Sequence, residues 1–247
     1  MTKPLTYQER IDKAGKHFLG DCGEHELTIA LDQGLYRHLR FRNPKSGFYW
    51  FDIHTAPGTL TFRGDAGTWV FTRTEDMLAF FRGPRINPDY WQEKVVATDR
   101  NGGPRKYDSD LLRAVLRQRA IEYAERTWEA PDPEWAEDDD DWQEKRAAFY
   151  RDVVDLLRDD WLHHDSADAR GAAIEEAMRF THTEVIDTGR LDYSGMGTRK
   201  ERKEHRPFYE FYEDGPFEEL DHLFVYVCHA IRWGIEQYDK AQEANAA

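Results

Sequence analysis

From residue 25 to residue 73, apolar and polar side chains alternate with a period of two, the spacing of a sheet with one buried face. Leu27, Ile29 and Leu31 fall on one side, Glu26, Thr28 and Ala30 on the other. Asp32-Gln33-Gly34 is a turn signal, with Gly34 suited to a positive φ. Leu35, Leu39 and Phe41 then alternate with Tyr36, His38, Arg40 and Arg42. Residues 43–47 (NPKSG) read as a loop and 48–54 as an aromatic and β-branched third strand. Residues 59–63 and 68–73 form two more strands around Gly64-Asp65-Ala66-Gly67. Five short strands with short turns predict an antiparallel meander.

The period then becomes helical. Thr74 is placed to cap a helix through Met77, Leu78, Phe80 and Phe81, and Asn87-Pro88 to open another over 89–98. Asp108 or Ser109 caps a helix carrying Leu112, Val115, Leu116 and Tyr123. Residues 129–141 (EAPDPEWAEDDDD) read as a solvated linker, 142–162 as an amphipathic helix and 168–180 as a further helix. The polar stretch 192–206 is expected to be a loop. Gly215-Pro216 should open the last helix, which runs to about residue 241 with Leu220, Phe224, Val227, Ile231 and Tyr238. Its stretch 224–231 is apolar nearly all round, so it should be the buried one. The expected fold is α+β: a five-stranded antiparallel meander packed on a largely helical second part. The segments are 1–104 (meander and short helices), 105–206 (acidic helical insertion) and 207–247 (terminal helix returning to the meander), intertwined as one domain.

Composition narrows the class. With 14 Phe, 12 Tyr and 8 Trp the chain has ample material for a core, which excludes wholesale disorder. No run of about 18 apolar residues offers a membrane span, and the first residues lack an apolar core of signal-peptide length. Two cysteines, Cys22 and Cys228, exclude a disulfide framework and a thiolate zinc ribbon. A reduced, cytoplasmic protein is expected. The net charge is −14, and essentially all of the excess lies beyond residue 100. Such a surface repels nucleic acid and suits a basic partner.

Three blocks carry a resemblance: HFLGDCGEHELTIALDQGLYRHLRFRNP with FYWFDIHTAPGTLTFRGDAGTWVFTRTEDMLAFFR, then INPDYWQEK, then HAIRWGIEQYD. Together they span roughly residues 17–100 and 207–239, and the chain resembles there an uncharacterised family of bacteriophage and prophage proteins. Residues 105–206 carry no such likeness. The resemblance implies a phage or prophage origin and a place in the bacterial cytoplasm. It implies no activity, cofactor or catalytic residue.

Two sets of residues carry candidate chemistry. Alternation puts His38, Arg40 and Arg42 on the polar face of the second strand and Trp50, Asp52 and His54 on that of the third. Such a face pairs charges across strands, and it also offers arginines to an anion and His with Asp for acid–base work or metal binding. With Leu31 facing Leu35 across a three-residue turn, Thr28 would face His38 and Glu26 would face Arg40. The second set is acidic and aromatic: Trp135, Glu137, Asp138, Asp139, Asp140, Asp141 and Trp142. Aromatic anchors within negative charge suit contact with a basic protein surface. His163-His164-Asp165, the Glu218/His222/His229 spacing and Cys22 are better read as a helix-end, helix-face and structural thiol than as ligand sets. Phosphate-loop, dinucleotide and nucleophile-elbow fingerprints are absent. The functional expectation is a phage accessory protein that binds a host or defence-system protein with a basic surface, with no cofactor, metal, direct nucleic-acid or membrane partner. The alternative is a nucleotide- or anion-binding protein, or a metal-dependent hydrolase, working from the sheet face.

Overall fold

The computed structural model describes residues 6–99, 102–129, 141–159, 167–191, 197–209, 211 and 217–246. The class is α+β, and the chain forms two compact units: 1–106 with 219–247, and 107–218. Among the described residues no helix is long and apolar enough to cross a membrane.

The first unit is built on a six-stranded antiparallel sheet in simple sequential order. Its strands are β1 (Glu26–Gln33), β2 (Tyr36–Arg42), β3 (Phe51–Ala56), β4 (Thr59–Gly64), β5 (Gly67–Thr72) and β6 (Val95–Thr98). The sixth strand corrects the five-strand expectation. Asn87-Pro88 does open a helix, α3, but it stops at Gln92. Beyond it the β-branched run Val95, Val96 and Thr98 pairs with β5 instead of continuing the helix.

The first hairpin also differs from its expected register. Gln33 pairs with Tyr36, so the turn is only Gly34-Leu35, with Gly34 at φ 65°. A bulge between Ile29 and Leu31 absorbs one residue. Glu26 therefore faces Arg42, Thr28 faces Arg40 and Leu31 faces His38. The third strand starts later than expected, because Tyr49 takes a φ of 61° and leaves the ladder with its side chain exposed.

The inner face of the sheet carries Leu39, Phe41, Phe51, Ile53, Leu60, Phe62, Trp69 and Phe71, all buried. Helices α1 (Tyr7–Cys22), α2 (Met77–Phe81) and α7 (His222–Ala246) add Phe18, Phe81, Phe224, Val227 and Ile231 to this core, and α3 adds Trp91. Each such apolar side chain contributes about 1.5–3 kcal/mol on burial. The cap of α2 is Asp76, whose carboxylate accepts from the Leu78 and Ala79 amides; Thr74 lies too early for that role. Helix α7 opens at His222 rather than at Gly215-Pro216, because Glu218–Leu220 (β10) is extended and pairs with Arg105–Tyr107 (β7). Gly234 of α7 lies directly over the sheet: a Cβ there would come within 2.8 Å of Ile53 Cδ1 and 3.0 Å of Phe41 Cζ.

The second unit holds α4 (Ser109–Thr127), α5 (Asp141–Arg158), α6 (Ala167–Arg179) and an antiparallel ladder of β8 (His182–Leu191) with β9 (Thr198–His205). The ladder corrects one expectation: within the stretch 192–206 expected to be a loop, Thr198–His205 is a strand. All but the last residue of β9 is exposed, so it has no apolar alternation to betray it. Leu112, Leu116, Phe149, Val153, Ala177 and Phe208 are among the buried residues of this unit's own core.

Candidate functional site on the outer sheet face

With the helices on the inner face, residues of opposite parity point outward in the first unit. Register arranges them in rows. Thr28, Arg40, Asp52, Arg63 and Thr68 form one; His38, His54, Thr61 and Val70 form the next. The four sheet-face residues singled out by alternation, His38, Arg40, Asp52 and His54, thus come together around one carboxylate.

Asp52 is only 1% exposed although it lies on the outward face. Arg40 covers it with a two-pronged grip, Nε donating to Oδ1 at 2.9 Å and Nη2 to Oδ2 at 3.0 Å. His38 Nε2 lies 3.4 Å from Oδ2 and His54 Nε2 lies 3.9 Å from the same oxygen. The two imidazoles stack with centroids 4.1 Å apart and 24° between planes. Burial works against the Asp52 charge, but the hydrogen bonds and charge of Arg40, then of His38, hold the carboxyl below its usual range. His54 is pushed down, first by burial and then by the neighbouring His38, so its neutral form is favoured.

The arrangement has an unfinished element. His38 Nε2 is buried and makes no aligned hydrogen bond among the described residues, despite its proximity to Asp52. One donor atom from each of His38, Asp52 and His54 lies within 4.8 Å of the other two. Bonds of about 2.0–2.1 Å in a tetrahedral metal site separate ligands by roughly 3.3 Å. The 3.4 Å spacing already meets that figure, and the 3.9 Å spacing needs only a small ring shift. A neutral imidazole and a carboxylate held ionised are the protonation states that a metal ion requires. Arg40 orients the carboxylate as an outer-shell partner does. Beside this group Arg42 and Arg63 lie exposed, with their guanidinium carbons 5.3 and 5.6 Å from the Trp50 ring centroid.

The D-x-H spacing named two of the three ligand types; His38 joins them only through the β2–β3 register. Sequence reasoning missed another group entirely. His17, Asp21 and Tyr226 meet between α1 and α7: His17 Nε2 is 3.2 Å from Asp21 Oδ2, and the Tyr226 hydroxyl donates to the same oxygen at 3.2 Å. The i,i+4 spacing of His17 and Asp21 on an amphipathic helix was the one local signal. Glu218 is in a strand, so its helical spacing to His222 does not exist; His222 Nε2 instead meets His17 Nδ1 at 2.9 Å. Cys22 is buried, as expected of a structural thiol.

Of the acidic set, Trp135, Glu137, Asp138, Asp139 and Asp140 lie outside the described residues, as does His163-His164-Asp165. Asp141 and Trp142 open α5 and are engaged within it: Lys145 Nζ lies 2.5 Å from Asp141, and Arg146 sits 5.4 Å from the Trp142 ring. No protein-family model, curated protein or solved structure matches the chain.

Proposed function

We propose that the outer sheet face binds a divalent transition-metal ion through His38, Asp52 and His54 and acts there on an anionic substrate. What carries the reading is the convergence of three donor atoms within 4.8 Å of one another, with both imidazoles near one Asp52 oxygen at 3.4 and 3.9 Å. His38, Asp52 and His54 would hold the ion, which would supply Lewis-acid activation of water for attack near neutral pH. The residues divide the remaining work. Arg40 fixes the carboxylate. Arg42 and Arg63, exposed on the same face, offer guanidinium groups to a phosphate or carboxylate. The reaction class that fits is metal-assisted hydrolysis of an anionic ester.

Cobalt(II) titration of the purified chain tests the site. Stoichiometric binding with visible d–d bands is expected, lost in both His38→Ala and His54→Ala. Binding of the same strength in both variants would sink the assignment. Capture of a basic host or defence protein through residues 135–142, in a chain of phage origin, is the competing proposal. Its support is the charge distribution and the resemblance alone. Lysine at all of positions 138–141 should abolish capture if that surface acts.

A further inference from the structure

A second site lies on the other side of the same unit. Beside Asp21 and Tyr226 a cavity of about 100 Å³ opens, walled by Tyr49, Phe51, Phe62 and Tyr226. Its lining includes two carboxylates, Asp21 and Asp65, with the His17 imidazole beside Asp21 and no lysine or arginine. Trp50 also touches it, but that ring already carries Arg42 and Arg63 and is not counted.

The backbone at the mouth is held in an uncommon conformation. Tyr49 has a φ of 61°, rare for an aromatic residue. Its amide donates to Asp65 Oδ2 at 2.6 Å, and its carbonyl accepts from Cys22 Sγ at 3.3 Å and lies 3.1 Å from His25 Nε2. Contacts from three separate residues, Cys22, His25 and Asp65, thus hold Tyr49 at the cavity, and the residue is 49% exposed. Strain maintained in this way is characteristic of ligand-clamping positions.

The lining selects among ligands. Two carboxylates repel an anion. A purely apolar guest would displace water from both carboxylates and offer them no charge in return. A small, well-hydrated ammonium would have to shed its water against phenyl rings. A methylated ammonium is weakly hydrated, buries its methyl groups and draws on both the carboxylates and the ring quadrupoles. The space, several water-sized groups, suits such a head. Asp21 Oδ2 and Asp65 Oδ2 carry the contacts to His17, Tyr226 and the Tyr49 amide, and both carboxylates line the cavity. We infer that this cavity is a binding site for a methylated ammonium head group, held between the Tyr49, Phe51, Phe62 and Tyr226 rings by Asp21 and Asp65.

Calorimetric titration of the full chain tests this with choline, with its uncharged isostere 3,3-dimethylbutan-1-ol and with a peptide bearing trimethyllysine. Choline or the peptide should bind, and the isostere about tenfold more weakly or worse. Equal binding of choline and peptide identifies a free amine as the natural guest; preference for the peptide identifies a protein side chain. The double substitution Asp21→Asn with Asp65→Asn keeps the acceptors for Tyr226 and the Tyr49 amide but removes both charges. It should cost the charged probes about tenfold or more and leave the isostere unchanged. Leu223→Trp, at a partly exposed position on the cavity wall, should block every probe without touching the carboxylates. The inference is overturned if neither charged probe binds, if the isostere binds as tightly as choline, or if Leu223→Trp binds like the parent.

Discussion

Arg40 grips both oxygens of Asp52, at 2.9 and 3.0 Å, while Asp52 itself is shut off from water. The pair is unequal: the carboxylate is buried and the guanidinium is half-exposed. Removing the cation therefore leaves a buried anion, whereas removing both charges leaves an ordinary polar sheet face. Arg40→Met should lower the melting temperature, and adding Asp52→Asn should recover part of the loss. A double variant that melts no higher than Arg40→Met would show that the buried charge is not the source of the cost.

Gly234 reports on how closely α7 approaches the sheet. Alanine favours a helix interior over glycine by about 1 kcal/mol, so propensity alone predicts stabilisation. The new Cβ, however, would press on Ile53 and Phe41, both fully buried. Overpacking of this kind costs about 1–3 kcal/mol. Gly234→Ala should therefore destabilise the chain in urea unfolding; an increase in stability would mean that the helix rides higher than described.

Legibility followed burial. Leu39 and Phe41 alternate with His38 and Arg40 because one face of β2 is core and the other is not, and that asymmetry is written in the residue types. The exact pairing is not, since a bulge at Ile29/Leu31 and a two-residue turn at Gly34-Leu35 each shift register without changing the alternation. Thr198–His205 is nearly all exposed, so nothing in TRKERKEH separates a strand from a loop. The stretch 95–98 follows a convincing helix start at Asn87-Pro88, and the pattern alone extends the helix across it. Among the site residues, Asp52 and His54 share a strand and are visible together. His38 needs the sheet to reach them, and Asp21 and Tyr226 are 205 positions apart. No local pattern encodes such a meeting.

Glu184 makes the second unit sensitive to acid. Its carboxylate is buried, with Lys145 Nζ 3.1 Å from Oε1 and His205 Nε2 2.9 Å from Oε2; the Tyr123 hydroxyl lies 3.0 Å from His205 Nδ1. Burial raises the carboxyl, but the Lys145 and His205 contacts outweigh it and hold the group below its ordinary value. The unfolded chain therefore takes up this proton first. Glu184 contributes its full stability above that value and loses it as pH falls through the lower, native one. Hydrogen bonds to charged groups are worth about 1.5–3 kcal/mol each. Glu184→Gln should cost on that order at pH 7 and converge with the parent in strong acid. Parallel urea-unfolding curves for parent and variant across the acid range would refute this assignment.

The two thiols make a last prediction about access. Cys22 and Cys228 are both fully buried. Burial pushes Cys22 up to about 11, against a weaker downward pull from the Tyr226 hydroxyl, and raises Cys228 well above its ordinary value. At pH 8 only about one Cys22 in a thousand would be thiolate, the reactive form. Native protein should therefore react with a disulfide reagent at the rate at which the structure opens, and both thiols should label at once in guanidinium. Rapid reaction of one thiol in native buffer would mean that α1 or α7 opens locally. Cys22 is the informative site, because its Sγ holds the Tyr49 carbonyl. Labelling there should also weaken binding of a methylated ammonium, whereas an exposed Cys228 would leave that binding intact.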